Sequence, residues 1–425
     1  MRPIVGSGRL GSVGTMSDGV TIIGAGLAGL ACARILTAAG VPVTVLEASD
    51  GVGGRVRSDH VDGWTLDRGF QILLTAYPEV DRWFDLAALD LREFVPGATI
   101  WCGDRFRSVS DPRRAPGDLL TTLVGPIGSP LDRLRLLRLL VSVRRGEARS
   151  LLRRPDRTTA EEIAERGFSD RFVERLLRPL FSGIQLDPDL EVSARRFELI
   201  LRMLATGASG VPAGGMGTLS TTLAAPLPAD VVQLGRTVTS IDGTSVRLDD
   251  GSEIPSRAVV VATEGPSAAR LLGIDDPGSR PVAALWFDTT DSPLLDRRIV
   301  LDGVRSGPVA NLASLSAVAP TYAPPGRSLA VAAVPGPDAL SADLETVVRR
   351  QLRSWPVGVD DWRTLRVDVI EHGQPLQTVP FDPKRTVRSG PGRYVCGDHR
   401  DTASIQGALH SGRRTADAVL RDLHG

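Results

Sequence analysis

The first clear hydrophobic pattern of the chain lies near its N-terminus. Val20–Ile23 is a short run of β-branched apolar residues, typical of a strand buried in a parallel sheet. Leu27–Ala39 is rich in Leu and Ala and predicts a helix, and Val41–Leu46 predicts a second strand. Strand, helix and strand in this order predict the start of a Rossmann-like α/β domain.

Further along the chain the pattern changes twice. Residues 79–206 are predicted to be mostly helical, with helices over Leu131–Glu147 and Ala160–Leu180. Residues 281–369 instead carry short β-like runs, interrupted by a predicted helix near Ala342–Trp355. These blocks predict an α+β substrate domain inserted into the α/β domain.

One predicted helix stands out by its charge. Leu131–Glu147 is apolar on one side and carries several arginines, namely Arg133, Arg135, Arg138, Arg144 and Arg145. A basic amphipathic helix can rest on an anionic membrane. It can equally be an ordinary packed helix whose arginines face water. The sequence leaves both interpretations open, and peripheral membrane contact is one hypothesis about partners.

Composition limits the class of protein. The 425 residues suggest two or three domains at roughly 100–200 residues each. Formal net charge is zero, with 50 basic and 50 acidic residues, which argues against a nucleic-acid partner. Three widely spaced cysteines predict neither a disulfide framework nor a zinc site, and favour a cytoplasmic location. The sequence contains no uncharged apolar run of 18 or more residues, so no membrane-spanning helix is predicted. Residues 1–17 are predicted to be disordered, and Met1 and Met16 are both candidate starts.

A glycine motif follows the first predicted strand. Gly24 permits a tight turn, Gly26 lets the backbone approach a diphosphate, and Gly29 lets helix and strand pack closely. The diphosphate would then lie at the helix N-terminus, which favours anions. Glu47 ends the second strand, where an acidic side chain accepts hydrogen bonds from a ribose hydroxyl. The predicted dinucleotide-binding residues are Gly24, Ala25, Gly26, Leu27, Ala28, Gly29, Glu47 and Ala48.

A second glycine turn, G-V-G-G-R, occupies residues 51–55. With its neighbours, E-A-S-D-G-V-G-G-R-V-R-S resembles the FAD motif of the flavin-containing amine oxidase superfamily, which includes amine oxidases, protoporphyrinogen oxidases and carotenoid desaturases. The resemblance implies FAD as the cofactor, in a glutathione-reductase-like fold, with Gly54 and Arg55 near its diphosphate. For the first motif alone, a nicotinamide-dependent dehydrogenase or an adenylate-binding module remains an alternative.

Two middle segments resemble the same family in the same order. Residues 211–223, V-P-A-G-G-M-G-T-L-S-T-T-L, are similar to a glycine turn that opens a helix. Residues 235–263 predict three short strands with hairpin turns at Asp242-Gly243 and Asp250-Gly251. They resemble the hairpin on the adenine side of FAD, which implies that Val238 lies at the adenine.

The C-terminal segment resembles the family's last FAD motif. G-R-Y-V-C-G-D predicts a strand and a turn, and a helix follows. The resemblance implies that Gly397 and Asp398 face the ribitol and inner phosphate. It also implies that the backbone of Ile405 and Gln406 lies near the flavin ring, where a helix N-terminus stabilises negative charge.

The matches divide the chain into alternating pieces of two domains. The predicted pieces are a disordered extension (1–17), FAD-binding parts (18–85, 207–275 and 376–425), a helical substrate-domain insert (86–206) and a substrate-domain sheet (276–375).

Two segments favour one branch of the superfamily. Residues 67–80 and 403–412 resemble phytoene and zeta-carotene desaturases, although Gln71 and Gln406 replace the usual histidine and glutamate. The amine-oxidase branch commonly has an aromatic residue at the position of Ser404 and a lysine in mid-chain, whereas Lys384 is the first lysine here.

The resemblance therefore implies an FAD-dependent oxidoreductase that transfers a hydride from a hydrophobic, isoprenoid-type substrate to flavin N5. Phe70 and Gln71 are the candidate protein groups near the ring, and no metal site is predicted. The alternative is an amine oxidase that uses oxygen and releases hydrogen peroxide. A flavin-binding scaffold without turnover is a third hypothesis. The substrate, the electron acceptor and the oligomeric state stay open.

Overall fold

A computed structural model describes residues 17–110, 127–289 and 296–424. Its strands, in chain order, are β1 (Ser17–Ile23), β2 (Val43–Leu46), β3 (Ser58–Val61), β4 (Trp64–Asp67), β5 (Leu73–Leu74), β6 (Leu91–Glu93), β7 (Gly97–Trp101), β8 (Phe106–Ser110), β9 (Ser209–Pro212), β10 (Val232–Gln233), β11 (Val238–Asp242), β12 (Ser245–Leu248), β13 (Glu253–Val261), β14 (Ser279–Thr289), β15 (Ile299–Asp302), β16 (Asn311–Ser314), β17 (Ser328–Pro335), β18 (Arg363–Pro375), β19 (Arg388–Gly390) and β20 (Arg393–Val395).

Its α-helices are α1 (Leu27–Ala38), α2 (Pro78–Trp83), α3 (Pro130–Arg144), α4 (Ala148–Leu151), α5 (Thr159–Glu165), α6 (Asp170–Phe172), α7 (Arg178–Gln185), α8 (Ala194–Thr206), α9 (Gly217–Ala224), α10 (Gly265–Leu272), α11 (Leu315–Val318), α12 (Leu344–Arg353) and α13 (Ile405–His424). The predicted extension over residues 1–17 and the alternative start at Met16 lie outside the described residues, except for Ser17, where β1 begins.

The first sheet has eight strands and a parallel centre. Its order is β10-β2-β1-β13, with β20 beside the C-terminal half of β13. These strands come from three distant parts of the chain. Helices α1 and α13 pack against each other, and α9 also packs against α1. The predicted α/β architecture is confirmed.

A three-stranded hairpin unit extends this sheet. β11, β12 and β13 pair antiparallel, and the turns contain Gly243 and Gly251 with φ of +57° and +82°. Glycine adopts such left-handed backbone conformations without a side-chain penalty. Both predicted hairpins are confirmed.

The second sheet has seven strands in the order β18-β14-β17-β16-β15-β7-β8. Neighbouring strands are antiparallel except β15 and β7, which are parallel. The expectation that residues 79–206 are mostly helical is wrong for β6, β7 and β8. The sequence signal for the β7–β8 hairpin is the Gly103-Asp104 turn between Trp101 and Phe106, two aromatic residues that pair across the strands.

The predicted helix over Ala160–Leu180 is also broken into shorter pieces. α5 starts at a capping box between Thr158 and Glu161, but Gly167 then takes a φ of +74° and ends the helical run. A new helix begins after the Ser169 cap, and a π-helical segment, Val173–Leu177, connects α6 to α7. The helix predicted over Leu131–Glu147 is α3, which starts one residue earlier than expected and ends at Arg144.

One hydrophobic core connects the two sheets. It contains Leu30 of α1 and Leu409 of α13, together with Trp286 and Val331 from the second sheet. The inserted unit is therefore packed on the α/β domain through a continuous apolar core. No helix among the described residues is long and apolar enough to cross a bilayer.

Candidate functional site

The glycine motif forms an open helix N-terminus. Gly24 has a φ of +103°, and a side chain at Gly29 would clash with the Gly24 carbonyl oxygen, so both positions require glycine. Gly26 differs, because an added Cβ there would meet no atom of the described residues within 4 Å. Gly26 is the N-cap of α1, and the first helical turn carries no acidic residue. This combination leaves room and positive potential for an anion above Gly26.

Glu47 lies beside this turn. One carboxylate oxygen accepts a hydrogen bond from the Ala25 backbone N–H at 2.7 Å, and the other accepts one from the Ser49 N–H at 3.0 Å. Ala48 is exposed. The Arg236 backbone N–H donates to the Glu47 carbonyl at 2.8 Å. This contact brings the start of β11, which carries half-buried Val238, close to Glu47.

The second glycine turn packs on the first. The Gly53 N–H donates to the Ala25 carbonyl at 2.8 Å, and Gly53 has a φ of +117°. Gly54 lies directly against Gly26, since a Cβ on Gly54 would be 3.6 Å from the Gly26 Cα. Two motifs that are adjacent in the sequence therefore form one glycine-lined surface.

Arg55 joins this surface to the C-terminal motif. Its Nη2 donates to Asp398 Oδ1 at 2.7 Å across a sequence separation of 343 residues, and its Nη1 donates to the Gly373 carbonyl at 2.7 Å. Asp398 is buried, and Gly397 adopts a φ of +143° while its N–H donates to the Ser411 hydroxyl at 3.0 Å. A small cleft borders this ion pair. Its other lining residues are Glu264, Gly265, Pro266, Gly278, Ser279, His372 and Pro375.

Helix α13 begins at the opposite end of this arrangement. The Ser404 hydroxyl accepts a hydrogen bond from the Gly407 N–H at 3.1 Å and so caps the helix. Ile405 and Gln406 form the first turn and are half-buried. The Gln406 side-chain oxygen accepts from the Glu79 N–H at 2.8 Å, which ties α13 to α2.

A buried cation lies beside the start of α13. Arg196 is 2% exposed and its Nη2 donates to the Ala403 carbonyl at 2.9 Å and to the Gln374 side chain. Its Nη1 has no hydrogen-bond partner among the described residues. Burial lowers the pKa of Arg196 to about 10, so the guanidinium is still charged at neutral pH. Sequence reasoning missed this residue, although an arginine directly before Phe197 on an apolar helix face was a usable signal.

The two candidate ring neighbours lie on the loop after β4. The Gln71 side-chain N–H donates to the Arg55 carbonyl at 2.6 Å and to the Arg68 carbonyl at 3.2 Å, so the amide braces the loop that carries Arg55. Phe70 is half-buried against the shared core. The role of both residues at the ring stays a prediction.

Aliphatic side chains surround this loop. A Cβ at Gly69 would meet Ile370 of β18 at 2.6 Å. A Cβ at Gly373, which accepts the Arg55 hydrogen bond, would meet Leu186 and Val282, each at 2.8 Å. Ile370, Leu186 and Val282 therefore form an aliphatic patch at Gly69 and Gly373, whereas the cleft at the Arg55–Asp398 ion pair also has polar and charged lining.

Other titratable groups near the site do not form a metal or nucleophile centre. His399 is buried, and neither ring nitrogen has a partner in the part of the chain that the structure describes. Burial lowers the pKa of His399 to about 4, so the ring is neutral at pH 7. Lys384 is exposed. Within residues 17–110, 127–289 and 296–424, no cluster of His, Cys, Asp or Glu could hold a metal ion.

A comparison with protein-family models matches residues 27–420 to the flavin containing amine oxidoreductases. The chain belongs to this family. The cofactor of this amine oxidoreductase is therefore FAD, and the protein is an FAD-dependent oxidoreductase. The scaffold hypothesis, in which the flavin protein lacks turnover, is not supported.

Curated relatives match only part of the chain. An L-amino-acid oxidase of Sistrurus catenatus edwardsii is 44% identical over 75 residues, which cover 18% of this chain and 14% of the relative. The alignment thus spans about one seventh of that relative's length.

Solved structures match the whole fold. A protein from Exiguobacterium sp. 255-15 described as a protoporphyrinogen oxidase aligns with a TM-score of 0.71 at 19% identity, over 97% of this chain and all of that one. A putrescine oxidase bound to putrescine aligns with a TM-score of 0.67 at 18% identity, over 96% of this chain and 99% of that one. At these identities the likeness shows the shared fold.

The site of this amine oxidoreductase fits FAD on two observations. The space above Gly26 is open to a diphosphate at the end of α1. The second observation is Nη1 of buried Arg196, which has no hydrogen-bond partner among the described residues and adds positive charge next to the start of α13, as suits a group that becomes negatively charged on reduction.

Proposed function

We propose that this member of the family is a dehydrogenase of the desaturase type, which acts on a hydrophobic, isoprenoid-like substrate. One observation carries the proposal: the side chains that close on the Phe70–Gln71 loop and on Gly373 are the aliphatic groups of Ile370, Leu186 and Val282. An aliphatic patch beside the cofactor site suits an apolar chain, because burying apolar surface is favourable.

FAD, when bound, supplies the oxidising group that accepts two electrons and hydrogen from the substrate C–H bond. The α1 N-terminus and Arg55 bind the diphosphate, and Glu47 binds the ribose. Gln71 keeps the ring-side loop in place through its two carbonyl contacts. The aliphatic patch orients the substrate and excludes water. In sum the substrate loses one hydride, which FAD would accept, and one proton from the adjacent carbon, which would pass to solvent, and it gains one C=C bond.

An amine oxidase that reduces oxygen to hydrogen peroxide is the second candidate. It is favoured by the family's description and by the likeness to putrescine oxidase. Against it, Ser404 occupies the position where the amine-oxidase branch has an aromatic side chain, and its hydroxyl is engaged in capping α13. Because the first lysine is Lys384, the mid-chain lysine of that branch is also missing.

Anaerobic bleaching of the FAD-loaded protein distinguishes the two candidates. We expect a micellar isoprenoid set to bleach the flavin absorbance and an amine set to leave it unchanged. Bleaching by amines alone would overturn the proposal in favour of the oxidase.

A matched pair of variants on β18 tests whether the aliphatic side chains contact the substrate. Ile370→Asn should raise the isoprenoid concentration needed for half-maximal bleaching by about tenfold or more, since one lost aliphatic contact is worth 1–3 kcal/mol. Val367→Asn, on the same strand but 38% exposed, should leave that concentration unchanged. Equal effects of both substitutions would place the substrate elsewhere.

Three buried free thiols, Cys32, Cys102 and Cys396, support a reducing and therefore cytoplasmic setting for this activity.

A further inference from the structure

Helix α3 exposes a continuous row of aliphatic side chains. Leu131, Leu134, Leu137 and Val141 are 49%, 42%, 48% and 41% exposed. Their spacing of three, three and four residues places them on one face of the helix. The opposite face packs into the core through fully buried Leu139 and Val143. The helix therefore has two apolar faces, and only one is covered by the described structure.

Arginines flank and interrupt the exposed face. At 3.6 residues per turn, Arg133 and Arg144 lie along one border, where the Arg144 side chain donates to the Ala205 carbonyl. Arg138 and Arg145, both exposed, project between the directions of Leu134 and Leu131. The only carboxylate of the helix, Asp132, is buried and accepts hydrogen bonds from the Ser129 and Ser169 hydroxyls. The exposed face thus combines aliphatic groups with positive charge and has no acidic residue of its own helix.

The aliphatic groups and the positive charge together favour an anionic bilayer over a second copy of the chain as the partner of this face. Two copies of the chain paired symmetrically through α3 would bring the same arginines together, which like-charge repulsion opposes. An anionic bilayer surface satisfies both features, because aliphatic groups reach the acyl boundary while guanidinium groups bind headgroup phosphates, often in bidentate fashion. With 15 residues, α3 is about 22 Å long and lies in the plane of such a surface.

We propose that α3 docks this protein onto an anionic phospholipid bilayer, with Leu131, Leu134, Leu137 and Val141 facing the acyl boundary and Arg138 and Arg145 contacting lipid phosphates. The inference is independent of the proposed function, because it rests on α3 alone and holds whichever substrate the enzyme oxidises. For an apolar substrate, docking would place the enzyme at the phase in which that substrate dissolves.

The test is co-sedimentation of the full-length, FAD-loaded protein with vesicles of phosphatidylcholine, with or without phosphatidylglycerol. We expect binding to the vesicles that contain phosphatidylglycerol, weakened about tenfold or more when this lipid is omitted or the salt concentration is raised. Leu134→Ser/Leu137→Ser should weaken binding to anionic vesicles by about tenfold or more. Arg138→Gln/Arg145→Gln should do the same and also reduce the salt dependence.

The matched control is Val304→Ser/Leu340→Ser, which removes two aliphatic side chains with exposures of 40% and 54% from other surfaces. This control should bind like the wild type. Retained flavin absorbance and an unchanged melting temperature show that each variant is folded. Equal vesicle binding by wild type and both α3 variants, or no binding by the wild type, would overturn the proposal. So would dimers of the wild type that the leucine substitutions dissociate, because a second copy would then cover the face.

Discussion

Gly26 and Gly29 belong to one motif but are required for different reasons. A side chain at Gly29 would overlap the Gly24 carbonyl at 2.1 Å, so glycine there serves packing. A side chain at Gly26 would meet no atom of the described residues within 4 Å, and the φ of −72° suits any residue. At the scale of single residues, the structure thus separates a folding requirement from a binding requirement.

Gly26→Ala tests this separation. We expect the variant to fold with wild-type stability but to bind FAD at least about tenfold more weakly, a loss of about 1.4 kcal/mol, because the methyl group occupies the space of the diphosphate. Fluorescence titration of the apoprotein with FAD measures the affinity, and urea unfolding of the apoprotein measures the stability. Unchanged FAD affinity would contradict the assignment of this space to the cofactor.

Asp67 is a buried carboxyl group that connects several segments of the chain, and its burial makes the stability of the protein depend on pH. It accepts hydrogen bonds from the Ser58 hydroxyl, the Met216 N–H and the Tyr322 hydroxyl, and so joins three segments. Burial raises the pKa of Asp67 from 3.8 to about 6. The folded state therefore holds this proton more tightly than the unfolded state does, and its contribution to stability decreases as pH rises from about 4 to about 6.

Asp67→Asn should remove that decrease. Relative to the variant, the wild type should lose on the order of 2 kcal/mol of unfolding free energy between pH 4 and pH 6. The comparison must be made with the variant, because the buried His399, whose pKa is lowered, makes both proteins more stable as pH rises over the same range. Urea unfolding at a series of pH values measures the difference. Asp422→Asn is the control, since the pKa of exposed Asp422 is lowered to about 2 and lies outside this range.

At the scale of elements, the pairing of α1 with α13 fixes where the N-termini of both helices lie. The two helices pack closely because Gly412 of α13 lies against the backbone of Ala28 in α1. The bidentate contact of Arg413 with Glu79, together with the contact of Gln406 with the Glu79 N–H, holds α2 against the same helix. The N-termini of α1 and α13 are thus set by one helix pair.

Gly412→Ala should disrupt this pair. Alanine in a helix interior gains about 1 kcal/mol in propensity over glycine. The new Cβ, however, would lie 2.2 Å from the Ala28 carbonyl oxygen, and backbone cannot move aside cheaply. We expect a net destabilisation of about 2 kcal/mol together with weaker FAD binding, measured by thermal unfolding and FAD titration. The same substitution at Gly26 is the control for stability, and a Gly412→Ala protein as stable as the wild type would show that the helices can separate.

At the scale of the whole molecule, the inserted unit and the α/β domain share one core. Trp286 and Val331 of the second sheet belong to the same buried cluster as Leu30 of α1 and Leu409 of α13. Arg366 of β18 adds polar contacts to the hairpin of β3 and β4, with a 2.8 Å ion pair to Asp59. These contacts favour cooperative unfolding of both parts.

We therefore expect one calorimetric transition that FAD shifts as a whole. At a FAD concentration one hundredfold above the dissociation constant, the stabilisation is about 2.7 kcal/mol. Differential scanning calorimetry of apoprotein and FAD-loaded protein checks this. Two transitions, of which FAD shifts only one, would show that the inserted unit unfolds independently.

The sequence by itself determined the local elements and the cofactor class. Gly24, Gly26 and Gly29 behind a β-branched strand specify a turn and a helix start through contacts within a few residues, and the turns at Gly243 and Gly251 are equally local. Such features are readable because backbone sterics act between near neighbours. The β7–β8 hairpin was missed because short apolar runs fit helix or strand until a sheet neighbour decides.

Only the tertiary structure decided which distant groups meet. The ion pair between Arg55 and Asp398 spans 343 residues, and the burial of Arg196 beside Ala403 depends on where α8 packs. The exposed face of α3 was likewise settled by which side of the helix Leu139 and Val143 bury. Burial, charge pairing and exposure depend on neighbours that the chain brings together only on folding, and no local pattern encodes them.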